Sequence, residues 1–393
     1  MSLLPLRAGA QDTEDEVRKV KVPTLQVGNE AYIPHSKMHL GPFRFHPFLM
    51  EMFGTDSNVF LMEKDPQSVS PMMTEAGFRF DLAQSKQLML VGYKYRSIGY
   101  GSSKVRDNTE HEAFLDGDFK LGSFFIKLKE DYGHLYDPTP IIYDIKARRE
   151  ENKGRAAIGF DLNKLYIEAA SESRNYHFEG DAYDRASNKQ SITSGEIGYN
   201  YSKKTSLRLR FDTGSVDYNY DIQNDYTFTS FFLGFRYNVA AKLQSYLYLG
   251  STSQSVDVKN NAQTKEYSGM SAYGSLAYMF SKKTTLSATL VREIQYNAYV
   301  NYVEVLRLQM LARYRWTPKI MVSLRLIFET ATPSEKIGLA TSSTKTTFGL
   351  SGRYDITRWL SGGLDFEFAT KSASLDGLSF SDNKIFAYLT MHF

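Results

Sequence analysis

The sequence of 393 residues contains no cysteine and only two tryptophans. Without cysteine the chain can form no disulfide bond, no thiolate metal site and no covalent c-type haem attachment. An oxidising compartment is compatible with this absence but does not follow from it. No glycine-rich phosphate loop is present, and no serine or acidic nucleophile is paired with a histidine in a recognisable motif. We therefore expect no enzyme, no cofactor and no metal centre.

The sequence also lacks any apolar run of about 18 residues, which excludes a transmembrane helix. The net charge of +3 is too small to favour nucleic acid as a partner. The mean hydropathy of −0.39 resembles that of a soluble protein. A transmembrane β-barrel is equally compatible with this value, because only alternate residues of its strands face lipid.

Aromatic residues are abundant, with 27 tyrosines and 26 phenylalanines, and the last ten residues show how they are arranged. Residues 384–393 alternate between an apolar face and a mixed face, which predicts a β-strand. About ten residues suffice for a tilted strand to cross a bilayer. A final strand ending in Phe393 resembles the assembly signal of bacterial outer-membrane β-barrels. The alternative is an edge strand of a soluble sheet.

Short and long connections alternate along the chain. Eight tight polar turns are predicted, most of them ending in lysine, and nine longer polar segments lie between them. Seventeen connections predict eighteen strands, and the strict alternation is typical of outer-membrane barrels with short periplasmic turns. An even number of strands places both termini in the periplasm. The turns lie at residues 83–86, 121–123, 162–164, 202–204, 240–242, 281–283, 317–319 and 356–358.

The faces of the predicted strands indicate how such a barrel would be oriented. Leu207, Leu209 and Phe211 alternate with Arg208 and Arg210, and similar alternation recurs in later strands. Eighteen strands enclose a lumen too wide for side chains to fill, so the apolar face must meet lipid. Aromatic residues next to the short turns then form an interfacial girdle. The fold class expected is an all-β, transmembrane, antiparallel up-and-down β-barrel.

A resemblance to a known family is found near the start of this pattern. The segments Leu40-Gly41-Pro42 and Asp56-Ser57-Asn58-Val59-Phe60, with Pro47 between them, resemble the opening of the β-barrel porin 2 family of outer-membrane proteins. The resemblance implies a barrel and a link to exopolysaccharide gene clusters. We expect a signal-peptide remnant at residues 1–10, a periplasmic lead-in or short plug at 11–41, and the barrel at 42–393.

The charged faces of the strands supply the candidate site. Five arginines in the region 307–353 predict a basic stretch of lumen wall that attracts anions. Segments 134–150 and 178–190 are candidates for loops that fold inward, and Tyr388 is a candidate platform for a sugar ring. The predicted pore-lining residues are Arg208, Arg210, Arg236, Arg307, Arg313, Arg315, Arg325, Glu329, Arg353, Asp365 and Glu367.

The function predicted from these patterns is an aqueous passage through the bacterial outer membrane, with export of an exopolysaccharide as the first interpretation. A general or anion-preferring diffusion porin is the first alternative. A structural barrel that sheathes or anchors a partner, such as an electron-transfer cytochrome, is the second. The partners expected are outer-membrane lipid, the barrel assembly machinery and either a polysaccharide or another component of the periplasm or outer membrane.

Overall fold

The structure is a computed structural model that describes residues 38–393 apart from ten short segments. The expected signal-peptide remnant at 1–10, and residues 11–37 of the expected lead-in, lie outside the described residues. No helix in the described part of the chain is long and apolar enough to span a membrane. The ten segments are 85–86, 103–104, 140–144, 181–182, 220–224, 240–241, 258–264, 296–301, 334–341 and 375–377.

Nearly all described residues belong to β-strands. A two-residue strand, β1 (His39–Leu40), precedes eighteen long strands, as the alternation of turns and loops predicted. The long strands are β2 (Phe43–Asp56), β3 (Met72–Gln84), β4 (Gln87–Gly99), β5 (Asn108–Leu121), β6 (Phe124–Thr139), β7 (Ile145–Leu162), β8 (Leu165–Phe178), β9 (Asn188–Asn200), β10 (Thr205–Tyr218), β11 (Asp225–Val239), β12 (Leu243–Asp257), β13 (Lys265–Met279), β14 (Thr284–Gln295), β15 (Val303–Arg315), β16 (Ile320–Pro333), β17 (Ser343–Asp355), β18 (Leu360–Ala373) and β19 (Phe380–His392).

The strands form one closed antiparallel sheet. Each long strand pairs with its neighbours in the chain, and β19 pairs back onto β2 from Phe48–His392 to Asp56–Lys384. Closure gives each long strand a hydrogen-bonded neighbour on both sides, which removes the aggregation hazard of an open sheet. Pro47 has no N–H to donate, and its carbonyl accepts a hydrogen bond of 3.2 Å from the Phe393 N–H beside this seam.

The two ends of the barrel differ in the length of their connections. Tight turns such as Gly122–Ser123 and Asn163–Lys164 close one end, and Gly122 and Asn163 adopt φ of 69° and 59° there. These left-handed conformations suit glycine and asparagine. The start of β2 and the end of β19 lie at this end. Much of the predicted loop 134–150 is instead strand, since β6 continues to Thr139 and β7 begins at Ile145.

The outer face of the barrel carries a belt of apolar residues, and polar residues occupy the same face nearer the long loops. On β11, for example, Phe231, Leu233 and Phe235 are exposed, whereas Thr227 and Thr229 occupy the same face nearer the long loops. We call this upper ring of polar residues the collar. The predicted aromatic girdle beside the short turns is exposed, as expected: Tyr199, Tyr201, Phe235, Tyr237, Tyr278, Phe280, Tyr314, Trp316, Tyr354 and Trp359.

The inner face carries the charged residues, and ion pairs that skip a strand demonstrate its concavity. Lys127 on β6 lies 2.9 Å from Glu168 on β8, and Arg236 on β11 lies 3.4 Å from Glu196 on β9. Side chains on the concave side of a closed sheet converge, so charged groups two strands apart can meet there. The phasing predicted from the alternation of apolar and charged residues is therefore the phasing of the structure.

Candidate functional site

The wall of the lumen is lined by interlocking ion pairs rather than by isolated charges. Arg96 on β4 binds Glu75 on β3 and Glu110 on β5, each at 2.8 Å, and all three side chains are buried. Glu168 on β8 in turn bridges Lys127 at 2.9 Å and Arg155 at 2.6 Å. Such networks satisfy groups that would be costly to bury alone, and they stiffen the wall.

The structure places every predicted pore-lining residue on an inward-facing strand position. Most of the arginines have carboxylate partners within the wall: Arg208 and Arg236 with Glu196, Arg210 with Asp212, Arg307 with Glu329, Arg325 with Glu367, and Arg353 with Asp355. Asp365 is buried on β18, two residues before Glu367. Whether these residues line a conducting pore stays a prediction.

This pairing weakens the basic wall inferred from the sequence. Three of its five arginines, Arg307, Arg325 and Arg353, face carboxylates that cancel part of their field. Arg313 and Arg315 lie on β15 opposite Ser323 and Met321, which carry no charge. The periodicity of single strands could not reveal Glu329 and Glu367 as partners, because they lie on strands other than those of Arg307 and Arg325.

One side of the lumen mouth is narrowed by the long connection between β2 and β3. Val59 and Val69 in this connection pack against Ile98 on the inner wall and against Tyr100 and Val105. Burial raises the pKa of the Tyr100 hydroxyl far above its usual value, and the nearby Glu110 carboxylate adds to the effect. Tyr100 is therefore neutral at any physiological pH, in keeping with its place in an apolar cluster.

Another part of the mouth is narrowed by residues 183–187, within one of the two segments expected to fold inward. A 3-10 turn at Asp184–Ala186 places Ala186, which is almost fully buried, against Phe178 and Val216 on the inner wall. Ser187 fixes the turn by accepting a hydrogen bond of 2.9 Å from the Phe178 N–H. Parts of two long connections therefore pack against the inner wall at this end of the lumen.

Tyr388 does not serve as the open platform that the sequence suggested. It lies on the inner face of β19, but it is only 8 % exposed and packs with Met50, Met52 and Phe386. The prediction was wrong because alternation along β19 gives the direction of Tyr388 and not what covers it. The covering methionines come from β2, at the far end of the sequence.

Sequence reasoning also missed a clamp across the barrel seam. Asn58, in the segment that resembles the family motif, donates from its side-chain amide to the carbonyls of Met62 at 2.7 Å and Ser381 at 3.1 Å. The Ser57 N–H donates to the Asn383 carbonyl at 3.0 Å, and the Asn383 N–H donates to the Ser57 hydroxyl at 2.7 Å. The first long loop is thereby tied to the last strand, so the motif has a structural role that its letters alone do not indicate.

Comparison with known proteins gives matches of fold only. No family model matches the chain, so membership of the β-barrel porin 2 family stays an expectation, and no curated protein matches it in sequence.

Among solved structures, OccK1 (OpdK) of Pseudomonas aeruginosa aligns over 89 % of this chain and 99 % of its own, at 10 % identity and a TM-score of 0.49. A BenF-like porin from Pseudomonas fluorescens Pf-5 aligns over 90 % and 100 %, at 11 % identity and a TM-score of 0.48. OccAB4 of Acinetobacter baumannii aligns over 89 % and 98 %, at 9 % identity and a TM-score of 0.47. Similarity at this level carries no information about cargo, and the assignment of a closed barrel rests on the strand pairing.

Proposed function

We propose that this chain is a porin of the bacterial outer membrane, whose lumen forms an aqueous passage for polar and anionic solutes. The observation that carries the proposal is the polarity of one closed sheet, with exposed apolar side chains outside and ion-paired side chains inside. A continuous exposed apolar belt is costly in water and favourable in lipid. The short turns and both ends of the described chain would then face the periplasm, with the long loops outside the cell.

The packing at the mouth of the lumen bears on the size of solute that could pass. Val59 and Val69 pack against one part of the inner wall and Ala186 against another, which favours small solutes over wide ones. Arg313 and Arg315 lie deeper in the passage, where they would favour anions. A diffusion porin with a preference for small anions is therefore the function that the geometry supports best.

Export of an exopolysaccharide is the second candidate, and it rests on the resemblance of Leu40-Gly41-Pro42 and Asp56–Phe60 to an exopolysaccharide-linked family. A polymer strand needs only a wet passage and no site that binds it too tightly to leave. The packed mouth would have to admit a single extended chain. A sheath around a partner protein is favoured by no contact among the described residues.

The first experiment measures ion conduction by the purified protein in a planar bilayer under a potassium chloride gradient. We expect ohmic channels whose reversal potential indicates a preference for chloride. The double variant Arg313→Gln/Arg315→Gln should reduce that preference. A matched control is Lys189→Gln/Arg292→Gln, which removes two positive charges from the outer face and should leave selectivity unchanged. A protein that inserts but does not conduct would contradict the channel proposal.

The second experiment separates the two candidate functions in the native cell. Deletion of the gene should slow uptake of small anions and leave surface polysaccharide unchanged if the protein is a diffusion porin. Loss of surface polysaccharide, restored by the wild-type gene, would instead support export.

A further inference from the structure

The inner wall of the barrel is divided into a charged part and an almost uncharged part. Every strand from β3 to β8 contributes at least two ion-paired side chains to the lumen. On β11–β14, by contrast, the inward-facing side chains that the structure describes carry only two charges, those of Arg236 and Glu293. Hydroxyl-bearing, amide-bearing, aromatic and apolar residues occupy the other positions there. We call the inner face of β11–β14 the neutral wall.

Two tyrosines of the neutral wall present part of their rings to the lumen. Tyr246 on β12 and Tyr273 on β13 lie on the inner face, and both are half-buried. Tyr248 lies opposite Tyr273 and Tyr246 lies opposite Ser275, so Tyr246 and Tyr273 are diagonal neighbours on adjacent strands. Diagonal neighbours of this kind are about 7–8 Å apart, within reach of aromatic side chains. The two rings are therefore close enough to contact one extended ligand.

Buried aromatic rings support both tyrosines from the side of the wall. Tyr273 packs edge-on against Phe232 with ring centroids 5.4 Å apart, and Tyr246 packs edge-on against Tyr248 with centroids 6.1 Å apart. Phe232 and Tyr248 are both almost fully buried. The Tyr273 hydroxyl also donates a hydrogen bond of 3.3 Å to the Glu293 carboxylate. Rings held in this way lose little conformational freedom when a ligand binds, which favours affinity.

Hydroxyl groups lie next to the two rings. The hydroxyl of Thr252 on β12, which is half-buried, lies 2.8 Å from the Ser230 hydroxyl and 2.8 Å from the Ser271 hydroxyl. Ser275 and Thr289 lie opposite each other on β13 and β14 and also face inward. A hydroxyl can donate one hydrogen bond and accept two, so such groups can pair with the hydroxyls of a solute in either direction. The neutral wall thus combines aromatic rings with uncharged hydrogen-bonding groups.

We infer that Tyr246 and Tyr273 form a binding site for a neutral oligosaccharide inside the lumen. The C–H groups on the face of a sugar ring pack against an aromatic face, and the sugar hydroxyls find uncharged donors and acceptors beside it. Arg236 and Glu293 have opposite signs, so the neutral wall does not favour an ionic ligand. Several weak contacts also let a solute leave again, as passage requires. The inference rests on the proposed function in one respect, which is that solute must reach the lumen.

The first test is isothermal calorimetry of the full-length protein in a detergent without a sugar head group. The probes are three neutral hexasaccharides: maltohexaose, cellohexaose and chitohexaose. We expect binding of at least one of them, and Tyr246→Ala and Tyr273→Ala should each weaken it about two- to tenfold. Tyr246→Phe keeps the ring and should keep the affinity. Phe114→Ala is the matched control, because Phe114 is a half-buried aromatic residue on the inner face of β5, in the charged part of the wall.

The second test measures block of the ion current by the same hexasaccharides in a planar bilayer. Half-maximal block should need a higher concentration in Tyr246→Ala/Tyr273→Ala than in the wild type, with the chloride preference unchanged. Each variant is first checked for heat-modifiable mobility on electrophoresis, which reports a folded barrel. Absence of binding by the folded wild type, or equal affinity in all variants, would overturn the inference even if the channel conducts ions. Binding that depends on the two tyrosines in a protein that does not conduct would support the site and contradict the proposed porin.

Discussion

The backbone N–H of Asn58 donates a hydrogen bond of 3.1 Å to the Asp382 carboxylate, although 324 residues separate the two in sequence. Asn58 follows the first long strand of the barrel, and Asp382 lies in the last one. The Ser57 hydroxyl donates to the same oxygen of Asp382 at 3.1 Å. One buried carboxylate thus joins the first loop to the strand that closes the barrel, and the seam is fastened where the two ends of the described sheet meet.

The clamp should contribute measurably to stability. Asn58 is 1 % exposed, and its side chain makes three hydrogen bonds, two as donor and one as acceptor from the Met62 N–H. Asn58→Ala should lower the free energy of unfolding by about 1–3 kcal/mol for each buried group left unsatisfied. Urea unfolding in lipid vesicles measures the change. Asn383→Ala, at an exposed position of the same seam, should change it little.

The cost of a charged substitution on the outer face should depend on its depth in the membrane. Leu233 is 56 % exposed on the outer face of β11. Leu233→Arg should lower the free energy of unfolding by about 2–4 kcal/mol, the cost of a charge near the bilayer midplane. Thr229→Arg, on the same face in the collar, should cost at most about 1 kcal/mol. Reversible unfolding from vesicles measures both. Equal costs would contradict the boundary between belt and collar.

The effects on stability of substituting two ion-paired residues in the lumen wall should be strongly coupled. Arg307 and Glu329 are both buried and face each other on β15 and β16. Arg307→Gln leaves a buried carboxylate without its main partner and should destabilise the barrel by about 3–5 kcal/mol. Adding Glu329→Gln should recover most of this loss. A double-mutant cycle measures the coupling, and additive effects would show that the pair contributes little.

Displacing the turn at Asp184–Ala186 from the inner wall should change the conductance of the channel. Ala186→Glu places a charge in the apolar cluster around Phe178 and Val216, so the turn should leave the wall. Single-channel conductance in a planar bilayer should change in this variant. Arg185→Glu introduces the same residue at the exposed neighbouring position and should preserve the wild-type conductance. Identical conductance in both variants would indicate that the loop does not limit the passage.

The end of β19 predicts an effect on assembly. Phe393 is exposed on the outer face, and its N–H donates to the Pro47 carbonyl across the seam. Phe393→Asp should lower the yield of folded barrel in the outer membrane, because it places a charge on the face that meets lipid. Phe393→Tyr keeps the ring and should preserve the yield. Undiminished yield of Phe393→Asp would show that Phe393 is not part of an assembly signal.

The sequence by itself determined the number of strands, the places of the tight turns and the face of each side chain. Leu209 and Arg210 could be assigned to opposite faces from alternation alone, because a strand turns successive side chains to opposite sides. The aromatic girdle followed from the same rule. These features depend on neighbours in the chain, so a single sequence contains them.

Only the tertiary structure decided which residues meet. The pairing of Arg325 with Glu367 skips a strand, and the clamp from Asn58 to Asp382 spans nearly the whole chain. The burial of Tyr388 by Met50 depends on register between strands. Register and curvature are properties of the closed sheet as a whole, since a shift of one residue reverses every side chain of a strand. Periodicity along a single strand does not determine them.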